Sequence, residues 1–374
     1  MAAFEGNVMD LGILREAPGV RALVGEVRAA LRAVGKEVQI MEVCGTHTMT
    51  AYRSGLGLLL RKMGMRLISG PGCPVCVTPD GIIAAAARLV QERPGVILAS
   101  FGDMLRVPAS DCAIMKLVPA DGSSVRVIYS PEEVVELAKA NPQKEIVFLA
   151  AGFETTVPGI GWMVKTCLEE KIQNVSLLPA MKLVPPALRA ILDAGELRLD
   201  GFIYPGHVSV IIGSEPYRFV AERYGVPGAV AGFEPADLLF GILSVLRQIR
   251  DGRAEVEIAY RRAVKPQGNP AARRLMQEVF TTGDAEWRGF GTIPMSGLLP
   301  PQELCALARF DIKAESGWEA KGCRCGEVVR GIAEPEDCTL FGKGCTPERP
   351  LGPCMVSYEG SCLIHFKYGR EVPL

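Results

Sequence analysis

Short apolar runs rich in valine and isoleucine alternate with helical patterns through the first two thirds of the chain. We predict seven strands: Val38 to Val43, Arg66 to Ser69, Val96 to Phe101, Val125 to Tyr129, Ile146 to Ala151, Gly201 to Tyr204 and Ala229 to Ala231. We predict helices between them: Ser130 to Ala140, Gly81 to Glu92, Pro186 to Ala194 and Ala236 to Ile249. Nearly continuous hydrophobicity is typical of strands buried on both faces, and this alternation predicts parallel sheets.

The alternation fades after about residue 255, and a cysteine-rich segment follows from about residue 285. A chain of 374 residues exceeds the length that usually folds around one core. We therefore predict two Rossmann-like α/β domains with parallel sheets, over residues 1–122 and 123–284. A smaller C-terminal domain is predicted over residues 285–374.

Composition and charge narrow the function. The net charge is -1 and 22% of residues are charged, so nucleic acid is not an expected partner. No apolar run approaches the ~20 residues of a membrane span, and the first residues carry acids where a signal peptide needs a basic start, which predicts a cytoplasmic protein. Twelve cysteines in a chain too long to need disulfides indicate metal or redox chemistry.

The first cysteine motif, Cys44-Gly45-Thr46-His47, lies where the first predicted strand gives way to a turn. The carboxyl ends of parallel strands are where α/β folds place reactive groups. The imidazole of His47 could lower the pKa of the Cys44 thiol, or both side chains could bind one metal. The alternative is a buried structural cysteine beside a capping histidine.

The second motif, Cys73-Pro74-Val75-Cys76, follows the next predicted strand. Two intervening residues permit either a redox disulfide or half of a tetrahedral metal site. The chain has no second CxxC motif, so we favour a redox or transient ligand role. Two unpaired loop cysteines are the alternative.

Six further cysteines crowd into forty residues near the C-terminus: Cys323, Cys325, Cys338, Cys345, Cys354 and Cys362. His365 is the only nearby histidine, and an all-thiolate set suits an iron–sulfur cluster or zinc. Four ligands suffice for either metal, so two cysteines would be spare, as a disulfide or as buried thiols; a purely structural group is the alternative. Cys112, Cys167 and Cys305 stand alone on apolar or helical patterns, and we predict core positions for them.

Polar residues follow other predicted strands and the CxxC motif. They are Asp103 in FGDMLRVP, Glu154, Thr155 and Thr156 in GFETT, His207 in PGHVS, and Thr78 and Asp80. If the sheet edges that carry these residues face each other across two domains, the residues form one polar cleft around Cys44. Helix capping is the alternative for Asp103, Glu154 and Thr155, and a structural role is the alternative for His207.

Six motifs taken in order are similar to those of the HypD family of hydrogenase maturation factors. They are CGTHT at 44–48, GPGCPVC at 70–76, FGDMLRVP at 101–108, GFETT at 152–156, PGHVS at 205–209 and the C-terminal cysteine pattern. The resemblance covers nearly the whole chain. It implies two α/β domains of related topology and a third domain that carries a [4Fe-4S] cluster. It also implies HypC and HypE as partners, with which HypD proteins build the Fe(CN)2CO unit of [NiFe]-hydrogenase.

The resemblance implies residue roles as well. Cys44 would bind the transient iron, shared with a cysteine of HypC, and His47 would support it. Cys73 and Cys76 would be the redox-active pair, able to receive electrons from the cluster. The family spacing best fits four cluster ligands, with Cys325 as a rival to Cys323: Cys323, Cys338, Cys345 and Cys362.

Two other functions stay open at this point. One is a cluster-dependent thiol–disulfide oxidoreductase, in which Cys73 and Cys76 act on a protein substrate. The other is a zinc-bound interaction module at the C-terminus. The chain has no GxxxxGK[ST] loop, so a Walker-type ATPase is unsupported.

Overall fold

The computed structural model describes residues 18–109, 112–114, 124–315 and 320–369. The strands are β1 (Val38–Glu42), β2 (Met65–Ser69), β3 (Val96–Ser100), β4 (Pro108–Ala109), β5 (Cys112–Ala113), β6 (Val125–Val127), β7 (Glu145–Gly152), β8 (Val175–Met181), β9 (Gly201–Pro205), β10 (Gly228–Ala231), β11 (Val256–Ile258), β12 (Thr281–Trp287) and β13 (Gly291–Leu299). Two parallel sheets hold nine of these strands.

Helices fill most of the connections. They are α1 (Pro18–Val34), α2 (Gly45–Arg53), α3 (Leu56–Lys62), α4 (Pro74–Val77), α5 (Asp80–Glu92), α6 (Gly102–Arg106), α7 (Glu132–Ala140), α8 (Val157–Glu169), α9 (Val184–Ala194), α10 (Gly206–Ile212), α11 (Arg218–Tyr224), α12 (Pro235–Arg250), α13 (Pro270–Val279), α14 (Ala306–Arg309), α15 (Cys325–Arg330) and α16 (Ser361–Tyr368). Four short 3-10 helices are Glu215–Tyr217, Gln302–Leu304, Pro335–Asp337 and Pro353–Met355.

The first sheet has five parallel strands in the order β11-β10-β9-β1-β2. Successive residues of β1 point to opposite faces. Ile40 packs into a core with Leu23 of α1 and Leu239 of α12. Met41 packs into a second core with Leu188 of α9 and residues of α15. The predicted burial of this strand on both faces is therefore confirmed.

The second sheet has four parallel strands in the order β6-β3-β7-β8. Phe148 of β7 faces a core shared with α7 and α8. Its neighbours Val147 and Leu149 face the opposite core, which α5 covers. If the strands of each sheet are renumbered from 1 in chain order, the first sheet has the order 2-1-3-4-5 and the second has the order 2-1-3-4. The two α/β units thus share one doubly wound topology, and the predicted fold class is confirmed.

The sheets do not follow one another along the chain. Strands β1 and β2 pair in one sheet with β9, β10 and β11, while the intervening β3, β6, β7 and β8 form the other. The predicted boundary at 122/123 lies outside the described residues, and that at 284/285 falls within β12. The strands of one sheet therefore come from two separate parts of the chain, whereas the prediction gave each domain one continuous stretch. Strand pairing depends on contacts between distant residues, which a division along the chain does not consider. The division into domains stays a prediction.

The C-terminal part adds an antiparallel hairpin, β12–β13, and short helices around the clustered cysteines. Helix α16 packs on α2, and α15 packs on α4. Both contacts bring the C-terminal part against the loops that follow β1 and β2. None of the helices in the described parts of the chain is long and apolar enough to cross a membrane.

All seven predicted strands exist, with ends that differ by one or two residues. The sequence analysis missed β8 and β11, which are the outer strands of their sheets. Pro179 interrupts the apolar pattern of β8, and an edge strand tolerates it because one side needs no ladder hydrogen bonds. Cys167 is buried as predicted and Cys305 is half-buried, whereas the Cys112 side chain lies outside the described residues.

Candidate functional site

The predicted polar turns lie at the topological switch points of the two sheets. In the first sheet, Cys44 follows β1 and His207 follows the adjacent β9. In the second, Asp103 follows β3 and Glu154 follows the adjacent β7. Doubly wound sheets bind ligands where the strand order reverses, beyond the carboxyl ends of the strands.

Cys44 occupies the N-cap position of α2 and is only 7% exposed. Its amide donates a hydrogen bond to Glu42 Oε2 at 3.0 Å. The other oxygen of Glu42 accepts a hydrogen bond from the Thr48 hydroxyl, which also lies 3.3 Å from Ser69 Oγ. Burial raises the pKa of the Glu42 carboxyl to about 7. A buried acid thus fixes the backbone of Cys44.

The Cys44 thiol is held in its neutral form. Burial, together with the carboxylates of Glu359 and Glu42, raises its pKa to about 12. The Thr46 amide and hydroxyl act in the opposite direction, but desolvation is the larger effect. A metal cation at this sulfur would have to displace the proton.

His47 does not activate the thiol in the predicted way. Its Nε2 lies 2.9 Å from the Gly232 carbonyl oxygen, which can only accept, so Nε2 carries the proton. Burial lowers the pKa of His47 to about 4, leaving the ring neutral. The buried Nδ1 has no hydrogen-bond partner among the described residues. This lone pair is the feature of His47 that remains available to a ligand.

An aromatic stack joins the two histidines of the first sheet. The Phe233 ring lies 4.9 Å from that of His47 and 3.8 Å from that of His207, centroid to centroid. Phe233 follows β10, so three neighbouring strands supply this stack. His207 is exposed and forms the outer face.

The CxxC loop packs directly against Cys44. The Gly45 amide donates to the Gly72 carbonyl at 3.2 Å, and a Cβ added at Gly72 would lie 2.3 Å from the Cys44 nitrogen. Cys73 and Cys76 form a disulfide across the first turn of α4. The two cysteine motifs therefore meet through their backbones, which only glycine at 72 permits.

A C-terminal segment, Val356–Glu359, lies across both sheet edges. On the side of the second sheet, Asp103 Oδ2 accepts from the Tyr358 amide at 3.3 Å, and Arg106 donates to the Val356 carbonyl at 3.1 Å. On the side of the first sheet, the Thr46 hydroxyl donates to Glu359 at 2.9 Å. Asp103 therefore contacts the segment that covers Cys44, and its contacts are not those of a helix cap.

Glu154 lies on the inner side of the second switch point. Its Oε1 accepts from the Val184 amide at 3.0 Å, at the start of the helix after β8. Oε2 is buried and unpartnered within the described parts of the chain, and burial raises the pKa of this carboxyl to about 7. Thr155 is exposed, and Thr156 occupies the N-cap of α8 without a side-chain capping bond.

The C-terminal cysteines form one buried group. The sulfur atoms of Cys325, Cys354 and Cys362 all lie within 4.8 Å of one another. A Cβ added at Gly352 would lie 2.6 Å from Cys325 Sγ and 3.0 Å from Cys323 Sγ, so Cys323 approaches the same point. A soft, all-sulfur donor set of this kind fits a metal ion or an iron–sulfur cluster.

The four predicted cluster ligands line one pocket. Cys325 lines it as well, and Cys354 lies within 4.8 Å of Cys325 and Cys362. The residues at this position fit a thiolate-bound metal centre. The geometry brings Cys325 and Cys354 into the group without choosing four ligands, so the ligand set Cys323, Cys338, Cys345 and Cys362 stays a prediction.

Comparison with known proteins supplies the family. Residues 19–369 match the family model HypD, described as "Hydrogenase formation hypA family". The chain belongs to the HypD family. It is 45% identical to the hydrogenase maturation factor HypD of Azotobacter vinelandii over 90% of each chain. It is 44% identical to the hydrogenase expression/formation protein HupD of Azotobacter chroococcum over 96% of each chain.

A HypD from Cupriavidus necator is 40% identical over 96% of this chain and 97% of its own. The family resemblance of the six motifs is thus confirmed, and with it a role in hydrogenase maturation. Membership in a maturation system implies other maturation proteins as partners. The C-terminal cysteine group gives this family member a possible metal site.

Sequence reasoning missed three residues that shape the Cys44 site: Glu42, Phe233 and Glu359. The local sequence could have indicated Glu42, because it is a charged residue in an apolar strand. In the structure its side chain is only 1% exposed. Phe233 lies in a second AGFE sequence at a strand end, matching residues 151–154. Glu359 lies more than three hundred residues from Thr46, and no local pattern indicates it.

Proposed function

We propose that this chain is the scaffold on which, together with HypC and HypE, the Fe(CN)2CO unit of [NiFe]-hydrogenase is assembled. The iron is cargo, and Cys44 holds it. The observation that carries the proposal is a single buried thiol at a topological switch point, overlain by a segment that contacts both sheets. We place the assembly in the cytoplasm, where twelve cysteines would stay largely reduced.

Iron binding at Cys44 exchanges one cation for another. The thiol gives up its proton and its sulfur binds Fe²⁺. Glu42 and Glu359 lie close to this thiol, and burial raises the pKa of both carboxyls. The Glu42 carboxyl, with a pKa of about 7, can take up the proton near neutral pH. A thiolate is a soft donor, which suits iron that carries cyanide and carbonyl.

His47 and its neighbours limit what else reaches the iron. The neutral ring is fixed by Gly232 and Phe233, and its Nδ1 lone pair supports the cargo, by a hydrogen bond or as a ligand. Asp103, Glu154, Thr155, Thr156 and His207 follow strands at the carboxyl ends of the two sheets. In this proposal they bind the partners and the precursors of the diatomic ligands.

The Cys73–Cys76 disulfide supplies redox chemistry beside this site. Its reduction takes up two electrons and two protons and yields two thiols. A [4Fe-4S] cluster, when bound by the C-terminal cysteines, supplies single electrons. The disulfide shares a hydrophobic core with Cys325 and Cys354, which supports a redox connection between the two parts.

The test compares Cys44→Ala with wild type, each co-produced with HypC and HypE and purified without oxygen. Wild type should contain iron beyond one four-iron cluster and show cyanide and carbonyl infrared bands. Cys44→Ala should lose the bands and keep the cluster iron. Cys167→Ala, which removes another buried thiol on α8, is the matched control and should keep both. Normal bands in Cys44→Ala would sink the assignment.

A second candidate is a cluster-dependent thiol–disulfide oxidoreductase that acts on a protein substrate. The Cys73–Cys76 disulfide in the same core as the C-terminal thiols supports it. Iron for one cluster, no infrared bands in wild type, and turnover of a disulfide substrate without partners would favour this function. A colourless protein containing zinc would instead favour an interaction module.

A further inference from the structure

Arg288 lies at the tip of the β12–β13 hairpin and is only 7% exposed. Its amide donates to the Val77 carbonyl at 2.9 Å, and its Nε donates to the Thr78 carbonyl at 3.2 Å. These carbonyls end the short helix α4 that begins after Cys73. Arg288 therefore fastens the far end of the disulfide loop.

One terminal nitrogen of this side chain has no hydrogen-bond partner among the residues that the structure describes. Nη2 of Arg288 is buried without a hydrogen bond to any residue that the structure describes, and no carboxylate in the described ranges forms an ion pair with this guanidinium. A buried cationic donor that is left unpaired costs free energy. It therefore indicates an anionic partner that binds here.

The C-terminal thiols lie on that side. A Cβ added at Gly289, next to Arg288, would lie 2.5 Å from the Gly326 carbonyl oxygen, so the hairpin tip packs on the helix that begins at Cys325. Cys354 belongs to the same thiol group as Cys325, and the charge of Arg288 acts on it. The arginine thus lies between the disulfide loop and the thiol group.

We propose that Arg288 is a positioning residue for the C-terminal metal centre, binding the sulfur ligands through its free N–H and offsetting their negative charge. Its backbone and Nε contacts hold the Cys73–Cys76 loop beside that centre. The inference rests on the proposed function, since it requires thiolates that bind metal. Metal binding to thiols releases protons, and a fixed neighbouring cation favours the deprotonated ligands.

The experiment measures metal affinity in the full-length, metal-free protein under argon, using Co²⁺ as the probe and its thiolate charge-transfer absorption as the signal. Arg288→Met and Arg288→Gln remove the charge, and Arg288→Lys keeps it. Both neutral variants should weaken Co²⁺ binding by about tenfold or more, the usual effect of losing a group that supports metal ligands. Arg288→Lys should retain most of the affinity.

Arg330→Met is the matched control. Arg330 ends α15, which begins at Cys325, and it also has a buried nitrogen without a partner in the described chain, but its guanidinium pairs with Glu196 at 2.7 Å. Its affinity should equal that of wild type. Reconstitution with iron and sulfide, followed by iron analysis, should give the same ranking of variants.

Each outcome decides something. Wild-type affinity in Arg288→Met would overturn the role of Arg288 while leaving the metal centre intact. Failure of wild type to bind either cobalt or iron would overturn the metal centre and the role of Arg288 together. If Arg288→Met does not fold, Arg288→Lys against Arg288→Gln decides, and equal affinities of those two would overturn the proposal.

Discussion

The two sulfur sites of this protein lie in different electrostatic surroundings. At Cys44, burial and two carboxylates, Glu359 and Glu42, raise the thiol pKa to about 12. In the C-terminal group, neighbouring thiols and the Arg288 cation lower the pKa of Cys354. The first site keeps its proton until a cation replaces it. In the second, hydrogen bonds among the thiols divide the effect, because they lower the pKa of Cys354 and raise that of Cys362.

The two sites also differ in the number of thiols that they offer to a metal. Within the described residues, Cys325, Cys354 and Cys362 form the one group of three or more metal-binding side chains with mutually close donor atoms. Cys44 offers one sulfur, beside a neutral imidazole with a free Nδ1. A single donor leaves most positions of an iron ion open to partners and ligands. Under the proposed function, the transient site and the resident site therefore differ in the number of sulfur donors.

The largest effect is expected from Gly72→Ala, which disrupts the packing of the CxxC loop against Cys44. The added Cβ would lie 2.3 Å from the Cys44 backbone nitrogen, and a backbone atom cannot turn away as a side chain can. We expect the free energy of unfolding to fall by about 4 kcal/mol or more, as measured by urea unfolding.

Gly95→Ala is the control for this prediction, because a Cβ at Gly95 meets no atom within 4 Å. Its free energy of unfolding should stay the same or rise by up to about 1 kcal/mol. Equal stability of the Gly72→Ala and Gly95→Ala variants would show that the two cysteine loops separate at little cost.

An intermediate effect is expected from Glu154→Gln, which tests the acid-rich character of the Cys44 side. The Glu154 pKa of about 7 exceeds the ordinary 4.5, so the folded protein binds this proton more tightly than the unfolded chain. Wild-type stability should therefore fall, relative to the variant, as pH rises from about 4.5 to 7. The relative loss should reach at most about 3 kcal/mol by pH 8.

Urea unfolding of wild type and Glu154→Gln at pH 5 and pH 8 measures this difference. The amide keeps an oxygen that can accept from the Val184 amide, so the change isolates the charge. Glu136→Gln removes an exposed carboxylate on α7 and should give the same difference from wild type at both pH values. A Glu154→Gln difference independent of pH would contradict the buried charge.

The smallest effect is expected from Glu359→Gln, which tests whether a nearby carboxylate raises the pKa of the Cys44 thiol. The amide can still accept from Thr46, but its charge no longer opposes the Cys44 thiolate. The Cys44 pKa should fall, and reaction with iodoacetamide at pH 9 should accelerate several-fold, by at most about tenfold. Mass spectrometry of the Cys44 peptide follows the rate.

Glu348→Gln, which changes an exposed carboxylate, is the matched control and should leave the Cys44 rate unchanged. The rate for Cys354 should be the same in both variants, because Arg288 and neighbouring thiols set its surroundings. Acceleration at Cys354 and not at Cys44 would reverse the electrostatic assignment of the two sites.

The local pattern identified most of the fold that positions the Cys44 site. Runs of valine and isoleucine located β1, β2, β3, β7, β9 and β10, because burial on both faces requires apolar residues without interruption. Glycine turns after these strands located Cys44, Asp103, Glu154 and His207. In the two parallel sheets, the missed strands were the short β11 and β8, where Pro179 is a residue that only an edge tolerates.

The surroundings of His47 show the limit of local reasoning. His47 lies in the first turn of the helix that begins after Cys44, where the sequence predicted a turn. The side chain is nevertheless turned to Gly232 and Phe233, residues of a loop nearly two hundred positions later. The ring is neutral because that loop buries it, and burial by distant residues has no signature in the local sequence.

By itself, the sequence determined the α/β class, the strand ends that carry the candidate site residues, and the crowding of soft sulfur donors near the C-terminus. Only the tertiary structure decided which strands share a sheet, that Glu359 and Glu42 surround Cys44, and that Arg288 lies beside Cys354. The physical reason is the distance along the chain over which each effect acts. Periodicity and turn chemistry act over a few residues, whereas desolvation and charge act between groups that folding brings together from distant parts of the chain.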